Sequence, residues 1–225
     1  MQLAVLGVLA AGVGLGSAGW LAGISYAVVT WAALTQALER SGARTLGPAN
    51  AVTLGRATLV GGVAALVAGS LGHRTPVAVL VAIATVALIL DGVDGRVARM
   101  TGTSSPLGAR FDGEIDAFLI LVLSAFVAES MGAWVLAIGA LRYAFVAASW
   151  VLPWLRTPLP RRISRSSIAA VQGIVLVVAS AGLVPAPLMA AVVAASLTLL
   201  SWSFARDVWW LRRVSVPLCE DLPRV

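Results

Sequence analysis

The chain has 225 residues, of which 60% are hydrophobic and 12% charged, with a mean hydropathy of +0.95. Those values exclude an ordinary soluble globular domain and point to several membrane-spanning α-helices. The formal net charge is +6, and all 16 basic residues are arginine. In so apolar a chain, positive cytoplasmic loops and phosphate-holding arginines account for that excess better than nucleic-acid binding does.

Apolar residues run almost unbroken from Leu3 to Leu34, about 48 Å of helix where a ~30 Å hydrocarbon core needs far less. The stretch GVGLGSAG in the middle predicts a bend and two N-terminal helices, about 2–15 and 19–38. One long tilted helix is the alternative. No basic n-region or small-residue cleavage site accompanies these residues, so they read as retained rather than as a removable signal peptide. After a polar connector come six spans at about 52–71, 76–99, 107–130, 132–153, 167–184 and 187–210, separated by GHRT, GTSSP, ESMG, RTPLPRRISR and VPAP. Short connections predict antiparallel neighbours. The expected fold is all-α, a multi-pass transmembrane helical bundle. Residues 1–38 form accessory helices, 39–51 a cytoplasmic connector, 52–213 a six-helix catalytic core and 214–225 a short cytoplasmic tail.

In this threading Arg40, Arg44, Arg96, Arg99, Arg110, Arg156, Arg161, Arg162, Arg165, Arg212 and Arg213 share one side, and the other side holds little beyond Arg74. The positive-inside rule therefore predicts a cytoplasmic (inner) cell membrane protein with the first face toward the cytoplasm. The lone His73 reads as an exposed loop residue, and the lone Cys219 excludes an intrachain disulfide and a cysteine zinc site.

One dense polar island interrupts the apolar sequence. DGVDGRVARMTGTSSPLGARFDGEID, residues 91–116, holds five of the ten acidic residues, between two strongly apolar runs. Asp91 and Asp94 lie three apart near one helix end, and Asp112 and Asp116 lie four apart at the start of the next. Both spacings put each pair on one helix face. Four carboxylates gathered at a membrane boundary repel strongly unless something positive joins them. An oxygen-rich set of this kind suits Mg²⁺ or Mn²⁺, and two ions would bridge it. Gly95, Ala98 and Gly108 leave room for a ligand to approach the backbone, and Arg99 is suited to a phosphate. A structural ion-pair cluster with Arg96, Arg99 and Arg110 is the competing reading, but it does not explain the three small residues. Glu114 falls outside the pattern and reads as a neighbouring or solvated acid.

Written as a pattern, the island is Asp91-x2-Asp94-Gly95-x2-Ala98-Arg99-x8-Gly108-x3-Asp112-x3-Asp116. It resembles the signature of the CDP-alcohol phosphotransferase (CDP-alcohol phosphatidyltransferase) family of integral membrane enzymes at all eight fixed positions. The resemblance implies that Asp91 and Asp112 contact both metals, Asp94 the first and Asp116 the second. It implies that Asp116 is also the catalytic general base for an acceptor alcohol, whose alkoxide attacks the β-phosphorus of a CDP-linked donor and releases CMP. Gly95, Ala98, Arg99 and Gly108 would hold the CDP moiety with the hydroxyl of Ser105. Asn50 and Thr53, in a looser Asn-x-x-Thr match followed by Arg56, would join them. The donor expected is CDP-diacylglycerol in phospholipid biosynthesis. The partners expected are that donor or a related CDP-linked one, a small alcohol acceptor and the bilayer, with a homodimer as the candidate assembly and no nucleic acid.

Arg142, Arg165 and Arg206 are candidates for an acceptor pocket, because family members with phosphorylated acceptors use basic residues beside the metals. Arg165 reads equally as a topogenic anchor, and Arg206 as a partner of Asp207 or a snorkelling side chain. Gly14-x-Gly16-x-x-Gly19 spells a dinucleotide fingerprint but follows no strand, so it reads as a bend or close-packing element. The eight tryptophans read mostly as interfacial anchors. Two other functions fit an acidic cluster in a membrane. One is a cation transporter, which favours sites near the midplane. The other is a different Mg-dependent membrane transferase such as a prenyltransferase, whose Asp-rich motifs lack this Gly/Ala/Arg spacing.

Overall fold

A lipid-embedded backbone has to satisfy its own hydrogen bonds, and the described residues of this chain do so with helices. The computed structural model describes residues 1–41, 48–70, 76–101, 106–156 and 163–215, with no strand among them. The helices are α1 (Gln2–Val13), α2 (Ser17–Ser41), α3 (Pro48–Gly69), α4 (Val77–Thr101), α5 (Pro106–Met131), α6 (Leu136–Val151), α7 (Ile163–Ala181) and α8 (Ala186–Ser215). Short 3₁₀ turns at Ala133–Val135 and Pro153–Arg156 flank α6. His73, Arg74, Ser105, Arg161, Arg162 and Cys219 lie outside the described residues.

The N-terminal apolar run is two helices rather than one tilted helix. Gly14 ends α1 at φ 75, a left-handed value that glycine adopts without strain, and its N–H closes the last turn on the Ala10 carbonyl. With 12 residues, about 18 Å, α1 is too short to cross a bilayer alone. Its residues Val5 and Leu9 instead meet Gly62 of α3. The glycine fingerprint is a packing element: a Cβ at Gly19 would lie 2.6 Å from the Ala65 carbonyl oxygen, and Gly16 faces Gly69. Positive-φ glycines also stand at two later breaks, Gly132 and Gly182.

Among the described residues, four segments are long and apolar enough to cross a membrane: Ser17–Gln36, Val52–Gly69, Ala133–Val151 and Ala186–Arg213. Shorter apolar helical stretches among the described residues are Gln2–Val13, Val77–Val93 and Ser167–Ala181. Large side chains such as Leu21, Val28, Val29 and Trp31 on α2, and Leu188, Leu199 and Trp202 on α8, are exposed on the bundle surface. A soluble protein would bury such a surface; in a bilayer it meets lipid. α8 runs past the expected end, near 210, to Ser215, and its last turn carries Arg212 and Arg213. Cations there favour the helix terminus, and Arg213 lies over the Trp209 ring at 3.6 Å.

α3 is the central post. It packs against α1, α2, α4 and α5, and buries Val60, Val63, Ala65 and Leu66. On the other side α5 packs against α6 and α7, and α7 against α4 and α8. Small residues let these helices approach closely. Gly139 of α6 makes the tightest approach to backbone, because a Cβ there would lie 2.5 Å from the Leu121 Cα of α5 and 2.6 Å from Ser124 Oγ. Backbone cannot yield as a flexible side chain does. Gly139→Ala is therefore expected to push α6 from α5 and cost about 1–3 kcal/mol, read as a lower melting temperature of the purified protein in detergent.

Candidate active site

The polar island folds as the end of α4, a connection and the beginning of α5. Asp91 lies on α4, and Gly108, Asp112 and Asp116 follow at one-turn intervals on α5. α3 packs against both α4 and α5, and so does α7. The acids are therefore brought together by a third helix, not by a helical hairpin alone. Ligand oxygens of Asp91, Asp112 and Asp116 all lie within 4.8 Å of one another.

α3 also delivers a cation into this cluster. Arg56 is only 1% exposed, and its guanidinium pairs with Asp91 through Nη1 and with Asp112 through Nη2. Nη2 lies 3.3 Å from Asp116 Oδ1 and donates to the Asp112 main-chain carbonyl, also at 3.3 Å. The three carboxylate side chains are 28–34% exposed. The arginine thus holds them from the protein interior while they remain open outward. Among the described residues, three carboxylates against one guanidinium give this group a formal charge of −2. That charge, the all-oxygen donor set and the short spacing fit a divalent cation. Sequence spacing pointed to the acids but assigned Arg56 no contact with them. The available signal was an arginine inside an otherwise apolar span, which requires a counter-charge.

The other expected donor-site residues distribute around this centre. Thr53 is buried on α3, one turn before Arg56. Gly108 is partly exposed one turn before Asp112. Asp94, Gly95, Ala98 and Arg99 continue α4 beyond Asp91, and Asn50 lies in the first turn of α3. The side chains of Asn50, Asp94 and Arg99 lie outside the described residues, as does Ser105 altogether.

A cavity of about 500 Å³ opens beside the carboxylates. Asp112 and Asp116 of α5 form one wall, with Arg142 and Phe145 of α6, Gln172 of α7, and Ser203, Phe204 and Asp207 of α8 around it. Phe145 and Phe204 meet edge to face at 5.7 Å and tie α6 to α8. Arg142 is held by an ion pair to Glu114, the acid outside the motif, and its Nη2 rests against Gly113. Arg206 lies over the Trp202 ring at 4.9 Å, while its neighbour Asp207 lines the cavity. The Arg165 side chain lies outside the described residues, although its backbone is in the first turn of α7. Sequence reasoning gave Ser203 and Phe204 no role, because only the tertiary fold brings α8 to the acids.

The Arg56 arrangement predicts a stability linkage. Arg56→Ala leaves three carboxylates facing one another without their counter-charge. The cost is expected near the lower end of about 3–5 kcal/mol, because the acids are partly solvated. Mg²⁺ or Mn²⁺ should recover more of the melting temperature in this variant than it adds to the wild type.

A family model described as CDP-alcohol phosphatidyltransferase matches residues 46–216. Comparison with curated proteins and with solved structures gives no significant match. The matched span takes in α3 to α8, the acidic cluster, Arg56 and the cavity. The protein is a multi-pass membrane member of the CDP-alcohol phosphatidyltransferase family.

Proposed function

We propose that the protein transfers phosphatidyl from CDP-diacylglycerol, or another substituted phosphate from a related CDP-linked donor, to a small alcohol, with release of CMP, in phospholipid biosynthesis. The observation that carries this reading is the convergence of Asp91, Asp112 and Asp116 around Arg56, beside a cavity large enough for an acceptor. Family membership favours it over a cation transporter or a prenyltransferase.

Asp91, Asp94, Asp112 and Asp116 are the residues that would hold two divalent ions, Mg²⁺ or Mn²⁺, which supply charge neutralisation at the diphosphate. Arg56 fixes three of these side chains from below, so little reorganisation is needed when the donor arrives. Gly95, Ala98, Arg99 and Gly108, with Asn50, Thr53 and Ser105, receive the CDP moiety. Asp116 lines the cavity as well as belonging to the cluster, which suits a base that takes the acceptor's hydroxyl proton. The alkoxide oxygen bonds to the β-phosphorus, and the bond from that phosphorus to the bridging oxygen breaks. CMP leaves with the bridging oxygen. Arg142, with Arg165 and Arg206, forms the basic side of the acceptor pocket, and Glu114 keeps the Arg142 guanidinium in place.

Arginine placement supports an active site facing the cytoplasm at the inner membrane. Residues 1–38 then form the accessory part, 39–51 the connector, 52–213 the catalytic core and 214–225 the tail. The family match gives no support for a homodimer.

Asp116→Asn should lower CMP release from CDP-diacylglycerol by at least about 10²–10⁴-fold while donor binding persists. Near-normal turnover in that variant would remove Asp116 from the base role. Chelation of divalent ions should abolish turnover in the wild type, with recovery on adding Mg²⁺ or Mn²⁺. Arg142→Met should raise the acceptor KM more than it lowers kcat for an acceptor that carries phosphate. An unchanged KM would confine Arg142 to its pairing with Glu114.

A further inference from the structure

Gln172 is a polar group of the cavity that the transfer chemistry leaves unused. Gln172 is 0% exposed, yet its side chain lines the same cavity as Asp112 and Asp116. Its Nε2 donates to the Ser196 carbonyl of α8 at 2.8 Å. A carbonyl only accepts, so this bond fixes which end of the amide is which. Oε1 is then the remaining end, buried and without a hydrogen-bond partner among the described residues. Native proteins rarely leave a buried carbonyl oxygen without a donor, and such a group at a cavity wall marks a place for one from a ligand.

The surroundings select the kind of donor. Ile168, Ala169 and Leu200 line the same region and are apolar, and Asp207 already has an interaction within the protein. Ser203 and Asp207 line the cavity as well, but at Gln172 Oε1 itself an ammonium group would bring a full charge and three donors against one neutral acceptor. A hydroxyl brings one donor and no charge. The acceptor must also place a hydroxyl at Asp116 to react.

Building on the transferase reading above, we propose that Gln172 is a specificity-determining residue and that the acceptor is a polyol. One hydroxyl gives its proton to Asp116 and is joined to phosphorus. A second, unreacted hydroxyl donates to Gln172 Oε1.

The test compares matched acceptors that differ by the second hydroxyl. The full-length protein, purified in detergent with CDP-diacylglycerol and Mg²⁺ or Mn²⁺, is given glycerol 3-phosphate against 3-hydroxypropyl phosphate, 1,2-propanediol against 1-propanol, and 1,2-cyclohexanediol against cyclohexanol, with serine and ethanolamine as amine-bearing acceptors. CMP release is measured for each. For at least one pair the polyol is expected to be favoured in kcat/KM by roughly 10- to 100-fold, mainly through KM. Gln172→Met removes the acceptor oxygen at similar volume, and should lower kcat/KM for the polyol to within about threefold of its deoxy partner. Equal kcat/KM within every active pair, or a preference for serine or ethanolamine, overturns the proposal. A polyol preference that persists in Gln172→Met removes Gln172 from the role. The wild-type comparison decides the acceptor class even where the variant does not fold. Failure of every acceptor to elicit metal-dependent CMP release overturns the transferase reading itself and this inference with it.

Discussion

Three aspartates from two helices share the guanidinium of one arginine buried on a third. In a low-dielectric bundle neither partner is tolerable alone. Unscreened, the acids would push α4 and α5 apart, and Arg56 without them would be an uncompensated charge inside an apolar helix. The pairing therefore ties α3, α4 and α5 at one end of the bundle. It also leaves the acids partly open on the outer side with a net negative charge, which is what a divalent cation requires. A single contact set thus serves both folding and the proposed chemistry.

The rest of the bundle keeps that end open. Glycine contacts at Gly19 and Gly139 draw helices to near backbone contact. Between α5, α6, α7 and α8 the chain instead leaves about 500 Å³. Two aromatic rings and a buried glutamine line this space, and Asp116 faces it as well as the carboxylate cluster. A group shared in this way is where proton removal and attack on phosphorus would meet. Exposed leucine, valine and tryptophan side chains on α2 and α8 belong to the lipid side, away from this space.

Much of this was legible in the residues themselves. Helix positions follow from long apolar runs and from breakers such as Gly14, Gly132 and Gly182, whose positive φ values other residues would resist. Helix ends were less legible: α8 reaches Ser215 because arginine and tryptophan in its last turns stabilise it, a local effect that hydropathy does not register. The signature residues of the site were visible because one-turn spacing is written in the chain. The contacts of Arg56, Glu114 and Gln172 were not, since each depends on which helix lies next to which. An arginine in an apolar helix announces that a counter-charge exists without saying where. A glutamine among valines and isoleucines looks like any buried amide until Ser196 is seen to take only one of its ends.

The central claim is that the carboxylates around Arg56 form a divalent-ion site. Titration of Mn²⁺ into metal-free, full-length protein, followed by the loss of the free-ion electron paramagnetic resonance signal, tests it directly. The account predicts saturable uptake of about two ions per chain, sharply weakened by Asp112→Asn. Absence of saturable uptake, or uptake indifferent to Asp112, would contradict it.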